Sequence, residues 1–433
     1  MRETNRRIVR LALLLTLIFA GALVAAPAFA GRGGQDTVVV FVEGPGAAAL
    51  QGQHDVRHVF PTGFTTELLR GAADRLAQRS GIRVSEVPLW HLLGGPPVDI
   101  AKPPGKCDPW PECKNGDGGG DPGGDPARPA VPSDPTPWGI QWVYNDATVN
   151  STSGGAGIAV AVLDTWVFKD HLDLTRRVAQ CADFTGGGPP GTVRVRDGRC
   201  DDQNGHGTHT AGTALADGGS DGLGVFGVAP GADLFAYKVC GNSGCWSDDI
   251  AAAIDRATAQ GAAIISMSLG GDTESALVAD AIQRAVTAGV LIVAAAGNDG
   301  PALGSIDYPG ANVNVVAVGV IDSSQNVPSW SSRGVNDGDY VVEVREVEVG
   351  APGVSVESTW NDGAYNTISG KSMATPHIAG LAAKVWASGV SDANSNGTTA
   401  DEVRSWLQTK AKARDLHTAG DDTATEFGGT AGP

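Results

Sequence analysis

The stretch Ser369-Gly370-Lys371-Ser372-Met373-Ala374-Thr375-Pro376-His377 governs the reading of this chain. A glycine, a variable residue and a serine open a run of small apolar residues. The pattern reads as a serine held at the mouth of a buried helix over residues 373–387. Pro376 is tolerable there, because the first four helical N–H groups have no intrahelical acceptor. The same geometry sets free backbone donors and the positive end of the helix dipole beside the Ser372 hydroxyl. That setting suits an oxygen nucleophile whose reaction develops negative charge. Taken alone, a serine before a helix is an N-cap, so its company upstream decides the matter.

Upstream, apolar runs alternate with helical spacing. Residues 158–163 (IAVAVL) are continuously apolar, as in a parallel strand covered on both faces. Helices are expected over 248–259, with Ser247 as N-cap and Gly261 as stop, and over 274–288. Further strands are expected over 263–269, 290–295 and 313–320, and residues 340–349 alternate like an exposed hairpin or edge. Thr399-Ala400-Asp401-Glu402 reads as a capping box opening a last helix. Strands spaced by helices imply an α/β fold with a doubly wound parallel sheet. In such sheets sites form outside the carboxyl ends of the strands. Asp164 stands at that end of the run 158–163. Asn204-Gly205-His206-Gly207-Thr208-His209-Thr210-Ala211-Gly212-Thr213 sets a histidine in a glycine-flanked turn, before small residues that let a helix press close to the sheet. His206 and His209 share a helix face. They could bind a metal, but no H-E-x-x-H glutamate and no third ligand accompany them. Val293-Ala294-Ala295-Ala296-Gly297-Asn298 ends an apolar strand in a side-chain amide, an uncharged donor useful to an oxyanion or an αL turn residue.

Together these four segments resemble the subtilisin-like (subtilase) serine proteases, from about Asp134 to the C-terminus, with the residues in the order Asp, His, Ser. The resemblance implies acyl transfer. Ser372 would attack the peptide carbonyl, His206 would take and return the proton, and Asp164 would orient the imidazole. Asn298 and the Ser372 N–H would hold the oxyanion. Ser268, Leu269 and Gly270, with Ala295, Ala296 and Gly297, would flank an extended polypeptide substrate. Asp307, before Tyr308-Pro309, would lie near the floor of the S1 pocket and, with Asp299, favour Lys or Arg at P1, unless the two acids belong to a solvated loop. Calcium is the implied cofactor. Asp173 resembles a family ligand. Asp221 and the carbonyls of Gly219, Leu223 and Val225 resemble the calcium loop, with Asp134 completing the set. Two neighbours depart from the family pattern. Trp166 stands where a glycine is usual, implying a different turn or a wall of the primed side. Lys371 stands where a threonine is usual, within reach of His206 or substrate.

Residues 31–93 form a separate small α+β unit. Strands are expected over 37–42, 56–60 and 82–87 and a helix over 65–78, with His54, His58 and His91 as surface or packing residues. The unit resembles a subtilase propeptide, ferredoxin-like in fold, and so implies an intramolecular chaperone and temporary inhibitor. Residues 94–133, dominated by Gly, Pro and Asp, read as a linker. Residues 134–433 would, by the same resemblance, be the catalytic domain.

Arg2, Arg6, Arg7 and Arg10 precede an apolar run over 11–24, and Ala28-Phe29-Ala30 follows. This reads as a secretory signal over 1–30 and places the protein outside the cell. The run is shorter than the ~20 residues of a membrane span, so no membrane anchor is expected. In an exported chain the six cysteines pose a disulfide question. Short local loops suggest Cys107 with Cys113, Cys181 with Cys200, and Cys240 with Cys245. The formal net charge of −17 over 433 residues argues against nucleic acid as a partner. Two competing readings remain: a non-catalytic peptide-binding relative, suggested by Trp166 and Lys371, and an esterase, which would lack its G-x-S-x-G elbow.

Overall fold

A computed structural model describes residues 36–93, 130–186, 195–335 and 342–413. The signal over 1–30, most of the linker and the Cys107–Cys113 pairing lie outside the described residues.

Eight strands form the main sheet, in the order Val349–Pro352, Val316–Ile321, Leu291–Ala295, Ile264–Met267, Ala159–Asp164, Asp233–Lys238, Val178–Asp183, Arg196–Asp197. All neighbours are parallel except the last pair. The chain winds outward in both directions from Ala159–Asp164, so the switch point of the sheet lies beside Asp164. Alternate residues of that strand feed two cores. Val160 and Val162 pack on the face covered by the helices His206–Leu215 and Lys371–Ala387. Ala161 and Leu163 pack on the face covered by Ser247–Ala259 and Ala276–Thr287. Both faces are buried, which is why the strand is apolar throughout.

Residues 37–93 add a four-stranded antiparallel sheet in the order Val56–Phe60, Gly63–Leu69, Thr37–Glu43, Arg83–Glu86, with helices Ala47–Gln51 and Arg70–Ala77. The helix expected over 65–78 begins only at Arg70. Residues 63–69 pair on both sides, and the aromatic and β-branched Phe64, Thr65 and Thr66 are fully buried there. Strand pairing overrides the accidental helical spacing of Leu68, Leu69, Ala72 and Leu76.

Three further expectations change. Residues 342–348 form a loop rather than a hairpin, and only Val349–Pro352 joins the sheet, as a parallel edge. The reason is that Glu348 turns inward to accept from Arg404 Nη2 (2.7 Å) and Gln408 Nε2 (2.8 Å). Ser247 is the first helical residue rather than the cap, and its Oγ accepts from Ser275 Oγ. Thr399 makes no side-chain cap bond, and the Glu402 carboxylate instead accepts from Ala393 N and Asn394 N. Disulfides join Cys181 to Cys200 and Cys240 to Cys245.

Candidate active site

Asp164 ends its strand fully buried. Its Oδ1 accepts from Thr165 N (2.7 Å) and from His206 Nδ1 (2.8 Å). His206 is the first residue of its helix, after Gly205 in a left-handed conformation (φ 100°). The helix sits close to the strand end because Gly207 has no side chain. A Cβ there would overlap the Trp166 carbonyl oxygen and stand 3.1 Å from Asp164 Oδ1. A carboxylate that the sequence reading missed secures this turn. Asp202 accepts from Asn204 N, Gly205 N, Thr208 N and Thr208 Oγ1, at 2.6–3.1 Å. Its signal was an acid just before a helix start, where free N–H groups favour negative charge.

Burial pushes the His206 imidazolium toward a low pKa. The Asp164 charge and hydrogen bond, helped by Asp202, outweigh it and hold the ring above the ordinary histidine value. His206 Nε2 is buried with no hydrogen-bond partner among the described residues. His209 points elsewhere. Its Nε2 donates to Val356 O (2.9 Å), and burial pushes its pKa down to about 3, so it does not pair with His206.

Ser372 is the second residue of the helix Lys371–Ala387, which therefore starts two residues earlier than expected. Pro376 then lies deeper in the helix, and its missing N–H orphans the Ser372 carbonyl. Ser268 Oγ supplies the lost donor, at 2.9 Å. In return the Ser372 hydroxyl donates to Ser268 O (3.0 Å) rather than to His206.

The cleft is filled by the chain itself. The strand Leu89–Leu92 lies antiparallel between Gly244–Trp246 and Leu269–Gly270. The next residue, Leu93, donates its N–H to Ser268 O (3.3 Å). Its carbonyl oxygen accepts from Asn298 Nδ2 (2.6 Å) and from Ser372 N (3.4 Å). Lys371 N donates to Asn298 Oδ1 (3.2 Å) and so orients the amide. Thus Ser268, Leu269 and Gly270 flank the strand, but its second flank is Gly244–Trp246. The backbone of Ala295, Ala296 and Gly297 is engaged with Val318, Asp307 and Ser332 instead.

The Leu93 side chain enters a pocket that Gly270 leaves open. A Cβ at Gly270 would stand 3.0 Å from both Leu93 Cδ1 and Asp307 Cβ. Asp307 is 2% exposed, and its carboxylate lies within 4.8 Å of those of Asp272 and Asp299. Burial first, then the charges of Asp299 and Asp272, push its pKa up to about 8 against the opposing charge of Lys371.

The two departures from the family pattern resolve structurally. Trp166 adopts φ 111°, the region that a glycine would occupy without strain. The turn is therefore kept, and the indole is buried in the core with Lys238 Nζ 5.1 Å from its ring centre. Lys371 is fully buried and donates from Nζ to Ser332 O (2.7 Å), and its charge acts on Asp307.

The calcium expectation meets a partial fit. Asp173 is buried, its Oδ2 accepting from Val225 N (2.9 Å) and Tyr365 Oη (2.8 Å). A Cβ at Gly224 would overlap its carboxylate, so the loop backbone lies against it. Asp221 Oδ1 accepts from Leu223 N. This donor set is all oxygen, as calcium requires. Asp134 differs, since its two oxygens accept from Thr136 N and Gln141 Nε2.

Comparison with known proteins gives one consistent result. The model of the subtilase family matches residues 155–429. A subtilisin of Bacillus sp. (strain TA39) is 49% identical over 314 residues, which are 68% of this chain and 72% of that one. Subtilisin Savinase of Lederbergia lenta is 42% identical over 250 residues, 58% of this chain and 83% of its own. Among solved structures, "Sphericase" and "S41 Psychrophilic Protease" each superpose with a TM-score of 0.63, at 50% and 48% identity, over 69% of this chain and 98% of theirs.

Proposed function

Because the chain belongs to the subtilase family and is a serine endopeptidase, we propose that Asp164, His206 and Ser372 carry its chemistry and Asn298 its oxyanion site. Ser372 Oγ turns from Ser268 O to His206 Nε2 and attacks the substrate carbonyl. His206 takes the proton and passes it to the leaving amine, releasing the first product and leaving an acyl-enzyme. Water, deprotonated by the same ring, then frees the acid. Asp164 keeps hydrogen on Nδ1 and stabilises the imidazolium. Asn298 Nδ2 and Ser372 N–H stabilise the oxyanion in both steps. The observation that carries this reading is the Leu93 carbonyl oxygen, gripped by those two donors beside a buried His–Asp pair. Active-site labelling with a fluorophosphonate tests it. Wild type should label stoichiometrically and Ser372→Ala should not; equal labelling would remove Ser372 from the mechanism.

The N-terminal unit up to Leu93 acts, on this reading, as an inhibitor released by cleavage of the Leu93–Gly94 bond, with the product end left in the cleft. N-terminal sequencing should find Gly94, or a residue further along the linker, in wild type and an uncut chain for Ser372→Ala expressed alone. Calcium belongs to the same reading. The residues that would hold it are Asp173 and Asp221, with the carbonyls of Gly219, Leu223 and Val225, and Asp134 only if it gives up its local bonds. Bound there, the ion would brace the loop following the His206 helix. Export rests on the signal-like segment over 1–30 and on the disulfides, which persist in oxidising compartments. Among the described residues no helix is long and apolar enough to cross a membrane.

A further inference from the structure

The helix Ser247–Ala259 opens with two adjacent acids, Asp248 and Asp249, both buried although neither takes part in catalysis. What buries them is the N-terminal unit. Arg57 grips Asp248 with two bonds, from Nε (2.7 Å) and Nη2 (3.0 Å), and reaches Asp249 Oδ1 from Nη2 (2.9 Å). His58 Nε2 lies 2.7 Å from Asp249 Oδ1, and Thr65 Oγ1 donates to Asp248 Oδ2 (2.8 Å). Arg57 also stands 5.8 Å from the centre of the Trp246 ring, on the strand that flanks the filled cleft.

We propose that Asp248 and Asp249 form a proton-sensitive latch that holds the N-terminal unit through Arg57 and His58 and loosens when the proton shared in the His58–Asp249 contact is lost. The proposal rests on the reading of residues 37–93 as a cleavable inhibitor. Its physical basis is a count of buried charge. One guanidinium faces two carboxylates, and Glu67 on the neighbouring strand adds a further negative charge toward Arg57. The cluster is therefore left with excess negative charge unless one proton resides on His58 or Asp249, and buried charge without compensation is costly.

The protonation preferences agree with this count. Burial pushes Asp248 up, but the Arg57 charge and its paired bonds prevail and hold it below the usual carboxylate range. Burial and the Asp248 charge push Asp249 up to about 6, against His58 and Arg57. Once the N-terminal unit departs, water reaches both acids and Asp249 returns toward the ordinary carboxylate range. Its pKa is thus higher in the complex than apart. The added affinity is fully present below the ordinary value, is lost as pH rises toward about 6, and is gone above that. A difference of this size weakens the grip on the order of tenfold to a hundredfold. The inhibitor is held in acid and let go near neutrality.

The test uses the full chain carrying Ser372→Ala, with a recognition sequence for an unrelated protease placed within residues 94–129. After cutting there, dissociation of the N-terminal fragment is measured on dilution between pH 4.5 and pH 7.5. The fragment's Kd should rise at least tenfold across that interval. Asp249→Asn should flatten the profile, whereas His58→Gln, which keeps a donor but removes the ring that opposes the upward push on Asp249, should move the rise in Kd to higher pH and covers the case in which the first variant fails to fold. A Kd equal at both ends in the parent chain overturns the latch, as does a full wild-type slope in both variants. A fragment that binds at no pH overturns the inhibitor reading as well, which separates the two failures.

Discussion

The carboxylate of Asp307, beneath Leu93, should make substrate choice a function of pH. Asp307 faces the Leu93 side chain across Gly270, and burial pushes its pKa up to about 8. The apolar Leu93 occupies the pocket here, as suits a neutral carboxyl. Once ionised, Asp307 offers a buried negative charge to a P1 Lys or Arg. At about 4 Å and an effective dielectric near 20, that attraction is about 4 kcal/mol before desolvation of the cation is deducted. Measured couplings of close charge pairs begin near ~1.5 kcal/mol, which is about tenfold in rate. The sign follows from the raised pKa, with basic-P1 preference growing as pH rises. A group of pKa about 8 goes from roughly 10% to roughly 90% ionised between pH 7 and pH 9. The assay is kcat/KM for paired peptides differing only in Lys or Leu at P1. Taking their ratio cancels the shared titration of His206. The ratio should climb about fivefold from pH 7 to pH 9 in wild type and stay low and flat in Asp307→Asn. A flat wild-type ratio, or a variant that keeps the climb, would refute the role of Asp307.

Three other perturbations bear on the site. Asn298→Ala should lower kcat by about 10²–10³ with little change in KM, the scale known for the oxyanion amide of a subtilisin; stopped-flow burst kinetics would read it. Gly207→Ala should abolish both activity and accumulation of folded protein, because the new Cβ overlaps the Trp166 carbonyl oxygen; circular dichroism beside active-site titration would check it. Chelation with EGTA should lower the Tm of the processed enzyme, and Asp173→Asn should remove that sensitivity, which differential scanning calorimetry would report.

The sequence alone determined what depends on neighbours along the chain. An apolar run ending in Asp164, a glycine-flanked His206, and Ser372 at a helix mouth were each legible, because strand ends and helix starts have local signatures. So were the disulfides Cys181–Cys200 and Cys240–Cys245, whose partners are close in sequence. Where local and tertiary preferences disagreed, as over residues 63–69, pairing on both sides decided for strand. Only the folded chain could show what depends on remote partners. Arg57 meets Asp248 across 191 residues, and Leu93 meets Asn298 across 205. The left-handed backbone of Trp166 and the burial of Lys371 follow from their surroundings and not from their types. The cleft flank at Gly244–Trp246 was likewise silent in sequence, since backbone hydrogen bonds to an added strand require no particular side chain.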